Sequence, residues 1–172
     1  MIQPVLQFPD KRLQLISESV PLEENLHNLV QDLWDTLNAF SGCVGLAAPQ
    51  INIHKRVIVV NAGLAKRKTN HHGPLTLINP SFKSISNNRR IYREGCLSIP
   101  DFSANIRRFE HIHVSAMAPN GAHIDMECIG FEAIVIQHEI DHLDGILFLD
   151  RVDSIKTDIF RRERRLMDNE PK

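Results

Sequence analysis

Two histidines and a glutamate in the segment Gln137-His138-Glu139-Ile140-Asp141-His142 have the spacing of a hydrolytic metal site. In a helix, His138 and His142 project from one face, one turn apart, and can bind the same metal ion. Glu139 then lies beside the first ligand, where its carboxylate can act as a general base without being a ligand itself. This combination of a cation and a carboxylate base is typical of metal-assisted hydrolysis. The alternative is an ordinary amphipathic helix with two surface histidines, but these histidines continue the apolar face of the helix rather than opposing it.

Two histidines do not complete a catalytic centre, because sites of this kind usually take three protein ligands and leave a fourth position open. Downstream of the pair, the candidate ligands are the carboxylates of Asp144, Asp150, Asp153 and Glu163, and no further histidine follows. Upstream, Cys96 offers a thiolate on a predicted turn between Gly95 and Pro100. One cysteine with two histidines can hold iron as well as zinc, because the sulfur is a soft ligand. A lone cysteine is usually a small buried side chain, but beside the histidine pair we predict that Cys96 is the third ligand.

A third block, Gly42-Cys43-Val44-Gly45-Leu46-Ala47-Ala48-Pro49-Gln50, combines small residues and tight turns with one amide side chain. Such a stretch lets the backbone approach a ligand closely, although alone it is more typical of a close-packed turn. With the other two blocks, the chain resembles the peptide deformylase family, whose signatures GxGLAAxQ, EGCLS and QHExDH follow one another in this order. The second and third are intact, at 94–98 and 137–142, while Cys43 replaces the leading glycine of the first. The resemblance extends from near the N-terminus to about Arg151.

The resemblance implies hydrolysis of the N-terminal formyl group from formyl-methionine of newly synthesised polypeptides, with release of formate. It implies one divalent metal ion per chain, held by Cys96, His138 and His142, with Fe2+ in the cell and Zn2+ or Ni2+ able to substitute. The ligands themselves accept all three metals. Glu139 is the implied general base, and the side-chain amide of Gln50 and the backbone N–H of Leu97 are the implied donors to the oxyanion. The residues implied in substrate binding, including the walls of a methionine pocket, are Val44, Gly45, Gly95, Phe131, Ile134 and Val135.

Composition favours a cytoplasmic enzyme. At 172 residues the chain is long enough for one core, and we predict a single catalytic domain over 1–172 with a C-terminal helical extension from about 152. Because 20 lysines and arginines nearly balance 21 aspartates and glutamates, we expect no specific binding to DNA. Three cysteines without paired spacing favour a reducing compartment. The chain has no leader-like start and no run of about 20 apolar residues, so we expect no membrane association.

The spacing of apolar residues predicts an α+β fold. Apolar residues at intervals of three and four predict an N-terminal amphipathic helix over 23–40, and short strands are predicted at 56–60 and 75–79. The intervening loop, which holds Lys66, Arg67, Lys68, His71 and His72, is expected to be a solvated connection. Ile112 and Val114 predict a half-exposed strand, and a turn at 119–121 leads to another strand at 123–128. Together with the resemblance, these elements predict antiparallel or mixed sheets packed around a central metal-binding helix. A second metal site at His111, His113 and His123 is disfavoured, because alternation along the strand points these histidines to a solvated face.

The segment from Ser154 is predicted to form a charged C-terminal helix with Ser154 as its N-cap. A solvated helix is the simpler interpretation. The resemblance gives a functional alternative, because bacterial deformylases use a basic C-terminal extension to dock on the ribosome. Four arginines, at positions 161, 162, 164 and 165, suit an RNA phosphate surface.

Two other functions stay open at this point. The first is a zinc peptidase that cuts internal peptide bonds, although Cys96 as third ligand and the lack of a downstream histidine argue against it. The second is a catalytically lapsed paralogue that only binds formylated chains, for which the departure at Cys43 is the sole support. Cys43 either packs into a small space or forms a disulfide with Cys96 under oxidation, which requires the two Cα atoms to lie within about 7 Å of each other.

Overall fold

The computed structural model describes residues 1–21, 23–66 and 69–162, and within them three α-helices and eight strands form an α+β fold. The helices are α1 (His27–Ala39), α2 (Phe131–Leu143) and the single turn α3 (Ile155–Asp158). The strands are β1 (Gly45–Ala47), β2 (Val57–Val60), β3 (Leu75–Ser84), β4 (Arg89–Cys96), β5 (Ile99–Phe109), β6 (His111–Met117), β7 (His123–Ile129) and β8 (Ile159–Arg161). Short 3₁₀ turns occur at Lys11–Gln14, Ala48–Ile51, Ala62–Leu64 and Phe148–Arg151. The predicted fold class is confirmed.

Helix α2 lies in the centre of the fold, and every residue from Glu132 to Leu143 is buried. Gly145 follows the helix with a φ of 70°, a backbone conformation that favours glycine. A Cβ on Gly145 would lie 2.4 Å from the carbonyl oxygen of Gln14, so the chain can turn here only without a side chain. His138 and His142 are 9% and 2% exposed. The predicted helix is confirmed, and its histidines are not surface residues.

Five antiparallel strands form a sheet in the order β1-β2-β3-β6-β7. Strand β2 is covered by other residues on both of its faces. Ile58 and Val60 of β2 pack in the same core cluster as the apolar residues of α2. Val57 and Val59 pack instead with Leu33 and other residues of α1. Successive side chains of a strand point to opposite faces, so the continuous apolar run of β2 fits a strand between two helices. The sheet thereby supports α2 on one face and α1 on the other.

A second sheet, in the order β4-β5-β8, carries the cysteine motif. Strands β4 and β5 pair from Arg89↔Phe109 to Gly95↔Ser103, and the register then shifts between Gly95 and Cys96. A shift of this kind bends the strand locally. The bend occurs where the sulfur of Cys96 meets His142 of α2.

The C-terminal segment differs from the predicted helix. After the single turn α3 it forms strand β8, which pairs with β5 from Phe102↔Arg161 to Ala104↔Ile159. Ser154 occupies the N-cap position of α3 but makes no side-chain cap hydrogen bond. The extended form gives the edge of β5 a hydrogen-bonded partner, which a helix could not do. Arg164 and Arg165 lie outside the described residues.

The bounds of other elements also differ from the predicted ones. Helix α1 begins at His27 rather than at residue 23, and the side chain of Asn25 accepts a hydrogen bond from the His27 N–H at 3.0 Å. Strand β3 continues past residue 79 to Ser84, through an irregularity in its pairing with β6. His111 and His113 lie on the more exposed side of β6, as predicted, beside Glu127 and Asp125 of β7. Across the described ranges, no helix combines the length and apolarity that crossing a membrane requires.

Candidate active site

Three potential metal ligands converge between α2 and the end of β4. The ligand atoms of Cys96, His138 and His142 all lie within 4.8 Å of one another, and all three residues are buried. The sulfur of Cys96 is 3.2 Å from Nε2 of His142. The two imidazole rings stand edge to face, with centroids 5.0 Å apart. The spacing of the histidines in α2 and the bend after Gly95 thus bring together one sulfur and two nitrogen donors.

The charge state of this cluster suits a cation. Burial alone would raise the pKa of the Cys96 thiol, but the neighbouring His142 and His138 outweigh burial and lower the pKa well below its ordinary value. The lowered pKa favours the thiolate, which is the form that binds metals. His138 donates through Nδ1 to Glu94 at 2.8 Å, which leaves its Nε2 for a ligand. Among the described residues, Nδ1 of His142 has no hydrogen-bond partner.

Glu139 is a buried carboxylate beside this cluster. It is 4% exposed, and its Oε2 has no hydrogen-bond partner within the described part of the chain. Burial raises the pKa of Glu139 to about 7. Gly45 leaves the space that this carboxylate occupies, because a Cβ at Gly45 would lie 2.5 Å from Oε1 of Glu139. The close approach explains why glycine is required at this position of the first motif.

The amide of Gln50 is held in one orientation. Its Oε1 accepts a hydrogen bond from the Ala47 N–H at 2.9 Å, while its Nε2 donates to Oγ of Ser98 at 3.1 Å and faces the Cys96 sulfur at 3.4 Å. Gln50 lies in the 3₁₀ turn Ala48–Ile51 and is 2% exposed. The amide N–H groups therefore point toward the metal cluster. Leu97, which directly follows the bend in β4, lines the same cavity.

A buried ion-pair network lies behind the ligands, and most of it has no counterpart in the sequence patterns. Arg108 donates to both carboxylate oxygens of Glu94 at 2.8 and 3.0 Å, and to Asp141 at 2.5 Å. Arg151 also donates to Asp141. Glu94 in turn holds His138, so the network fixes the ring of a ligand. Glu94 and Asp141 belong to the second and third motifs, but no sequence pattern marks Arg108.

A cavity of about 850 Å³ opens in front of the cluster. All six residues predicted to bind substrate line it: Val44, Gly45, Gly95, Phe131, Ile134 and Val135. Gln50, Cys96, Leu97, His138 and Glu139 line it as well. Lys66, Arg93 and Arg162 add positive charge to the walls, which the sequence did not indicate.

Cys43 also lines the cavity, and its thiol donates a hydrogen bond to the carbonyl oxygen of Gly45 at 3.2 Å. Burial raises the pKa of this thiol to about 12. The protonated, hydrogen-bonded form favours the packing interpretation over a reactive one, because the thiolate is the nucleophile in disulfide formation.

The comparisons with other proteins agree over most of the chain. The family model described as polypeptide deformylase matches residues 2–158. The peptide deformylase of Saccharophagus degradans is 37% identical over 161 residues, which cover 93% of this chain and 90% of that protein. The peptide deformylase of Azotobacter vinelandii is 35% identical over 163 residues, or 94% of each chain.

Solved structures give the same relationship. The class I type b peptide deformylase of Acinetobacter baumannii, in a crystal structure with Met-Ala-Ser bound, has a TM-score of 0.81 at 32% identity and covers 88% of this chain and 99% of its own. The peptide deformylase of Thermotoga maritima has a TM-score of 0.79 at 32% identity, with coverage of 90% and 99%. The relatives match almost completely along their own length, so the similarity is not confined to one motif. The predicted relationship is confirmed: this chain belongs to the peptide deformylase family.

Proposed function

We propose that this chain is an enzyme that hydrolyses the N-terminal formyl group of formyl-methionyl polypeptides and releases formate. The observation that carries this function is the ligand set of Cys96, His138 and His142 beside the buried carboxylate of Glu139, at the wall of a cavity. A formamide reacts slowly with neutral water. Its hydrolysis requires activation of the carbonyl and the water, a proton acceptor, and donors for the oxyanion.

The donor set fits one divalent ion per chain, because a buried thiolate and two imidazoles are ligands that iron, zinc and nickel all accept. When bound, such an ion supplies Lewis-acid polarisation and lowers the pKa of water, toward about 7 in the best-known zinc case. We assign Fe2+ as the ion in the cell, with Zn2+ and Ni2+ as functional substitutes. Glu94 and Arg108 serve this site by holding the His138 ring.

Glu139 is the general base and then the general acid of the proposed reaction. Its carboxylate accepts a proton from the attacking water and returns a proton to the methionine nitrogen as the C–N bond breaks. A carboxylate whose pKa is raised by burial toward neutrality suits both roles. Proton transfer of this kind contributes about 10²- to 10⁴-fold in rate.

Gln50 and Leu97 are the proposed oxyanion donors. The Gln50 amide is fixed by Ala47 and Ser98, and we assign its other N–H, which faces the Cys96 sulfur, as the donor to the carbonyl oxygen as that oxygen gains charge. The backbone N–H of Leu97 is the second donor in this proposal. Removing one donor of this kind costs about 10²- to 10³-fold in rate.

Substrate specificity comes from the apolar part of the cavity and from an open strand edge. Val44, Phe131, Ile134 and Val135 form the proposed methionine pocket. Strand β1 is at the edge of its sheet, paired with β2 on one side, so an extended peptide can add as a further strand. This mode reads the peptide backbone and is consistent with the Met-Ala-Ser ligand of the Acinetobacter baumannii structure.

The proposed partners are formyl-methionyl nascent chains, and the proposed location is the cytoplasm. We retain contact between the arginine-rich C-terminal segment and the ribosome as part of the proposal, although Arg164 and Arg165 lie outside the described residues. We also treat residues 1–172 as a single catalytic domain.

The test is to incubate the protein, loaded anaerobically with Fe2+, with a formyl-methionyl peptide and to measure formate and new amines. Formate in equal amount to methionine amines is the expected result. New internal peptide ends would instead indicate a peptidase, and binding without formate release would indicate a lapsed paralogue.

The matched pair Glu139→Gln and Glu127→Gln separates catalysis from folding. Glu127 is on β7 with its side chain 62% exposed. We expect Glu139→Gln to keep its metal and lose about 10²-fold or more in turnover, while Glu127→Gln keeps both. Loss of metal from folded Glu139→Gln, measured by elemental analysis, would contradict the assigned role.

A further inference from the structure

A second group of metal-ligating side chains lies at the first turn of α2. The ligand atoms of His72, Cys128 and Glu132 are within 4.8 Å of one another. None of the three lines the cavity of the candidate active site. They come from three separate parts of the chain: the connection between β2 and β3, strand β7, and helix α2.

The carboxylate of Glu132 is unusual because it is buried, with its side chain 1% exposed. Oε1 accepts the His72 backbone N–H at 2.8 Å, and Oε2 is 2.7 Å from Nδ1 of His72. In the described part of the chain, no lysine or arginine forms an ion pair with it. Buried charged groups are usually paired or bound to a cation.

The other two donors complete a ligand set rather than a simple ion pair. Cys128 is fully buried. The His72 side chain is 45% exposed, so the cluster is open to solvent on one side. One sulfur, one nitrogen and one carboxylate oxygen are ligand types that zinc accepts in four-coordinate sites.

We propose that His72, Cys128 and Glu132 form a second divalent metal site, suited to zinc, with water as the fourth ligand. By binding both His72 and Glu132, the ion links the β2–β3 connection to the first turn of α2. Lys66 of the same connection and Phe131 of the same turn both line the active-site cavity. A metal ion bound at this second site therefore stabilises one wall of that cavity.

Binding at this site releases a proton. Cysteine binds metals as the thiolate, so the Cys128 thiol gives up its proton when an ion binds. The S–H bond breaks, the sulfur–metal bond forms, and the proton passes to buffer. This inference concerns residues outside the candidate active site and does not depend on the proposed function.

The experiment is equilibrium dialysis of the folded, full-length protein against micromolar zinc, followed by elemental analysis. We expect two zinc ions per chain in the wild type and one in His72→Ala. The adjacent His71→Ala is the matched control and should keep two, because His71 does not belong to the cluster. One ion in the wild type, unchanged in His72→Ala, would overturn the proposal. The contact between His72 and Glu132 would then be a structural hydrogen bond only.

Cobalt provides an independent reading because a cobalt–thiolate bond gives a charge-transfer absorption band. In Cys96→Ser, which lacks the thiolate of the first cluster, cobalt should still give this band. The band should disappear in the double variant Cys96→Ser/Cys128→Ser and persist in Cys96→Ser/Cys43→Ser. Absence of the band from folded Cys96→Ser would refute binding at Cys128 even if the dialysis result were ambiguous.

Discussion

Replacing Arg108 with methionine tests the ion-pair network behind the metal ligands. The Arg108 side chain is 4% exposed and holds both Glu94 and Asp141. Methionine keeps an apolar stem in the same space but removes the charge. Glu94 is then left with His138, and Asp141 with Arg151, as their remaining partners.

The expected cost follows from burial and from those remaining partners. Removing one member of a buried ion pair lowers the free energy of unfolding by about 3–5 kcal/mol. Because each carboxylate keeps one partner, we expect the lower end of this range, about 3 kcal/mol. In a protein of this length that loss lowers Tm by roughly 6–12 °C. The looser His138 ring should also weaken metal binding by about 10- to 100-fold.

Urea unfolding of the metal-free protein measures the first effect, and competition with a chelator measures the second. The control is Arg90→Met, because Arg90 pairs with Glu110 where the two side chains are 67% and 38% exposed. A surface pair contributes about 0–1 kcal/mol. If Arg108→Met and Arg90→Met unfold at the same urea concentration, the network does not stabilise the site as argued.

Three further perturbations test the general base Glu139, the methionine pocket and the stability of the protein at low pH. Gly45→Ala should reduce turnover by about 10²-fold with metal retained, since its Cβ would meet Glu139 at 2.5 Å; unchanged kcat would show that the carboxylate can move at no cost. Ile134→Trp should impair a formyl-methionyl substrate more than a formylated residue with a smaller side chain, and equal losses of kcat/KM would remove Ile134 from the pocket. Burial raises the pKa of Glu94, but hydrogen bonds from His138 and Arg108 outweigh it and lower the pKa from 4.5 to about 2. In the metal-free protein this carboxylate therefore stabilises the fold fully above about pH 4.5, and about 3 kcal/mol is lost as the pH falls toward 2. Acid unfolding of Glu94→Gln should show a flatter decline over that interval, and a decline equal to that of the wild type would contradict the assignment.

Local spacing was sufficient to predict the elements whose pattern is complete within a few residues. The separation of His138 and His142 in a helix already gives a shared face, and the alternation along β6 gives its exposed side. The position of Cys96 beside them depends on a bend in β4 and on pairing with β5. Spacing alone cannot give such a contact; the thiolate chemistry of Cys96 pointed to it, and the family resemblance supported it.

Long-range partners account for what the sequence did not reveal. Arg108 reaches Asp141 across 33 positions of the chain, and no periodic pattern records that contact. The sequence predicts helix for β8 from Ser154 as an N-cap, whereas the extended form of β8 depends on the edge of β5. The sequence predicts a solvated loop for His72, because no pattern near His72 indicates its contact with the buried carboxylate of Glu132, 60 positions away.

The pairing of β8 with β5 has a practical consequence for anyone shortening or tagging this protein. The family match ends at residue 158, but a chain cut there would lose β8 and expose the backbone of β5 at Phe102–Ala104 as an open edge, which promotes aggregation. It would also lose Phe160, whose ring centroid lies 3.3 Å from the guanidinium carbon of Arg93. Because Arg162 lines the cavity, a tag attached downstream of it would follow a residue of the cavity wall. The N-terminus is the safer point of attachment, since the Met1 ammonium pairs with Asp32 and Asp35 of α1, and such exposed pairs contribute little to stability.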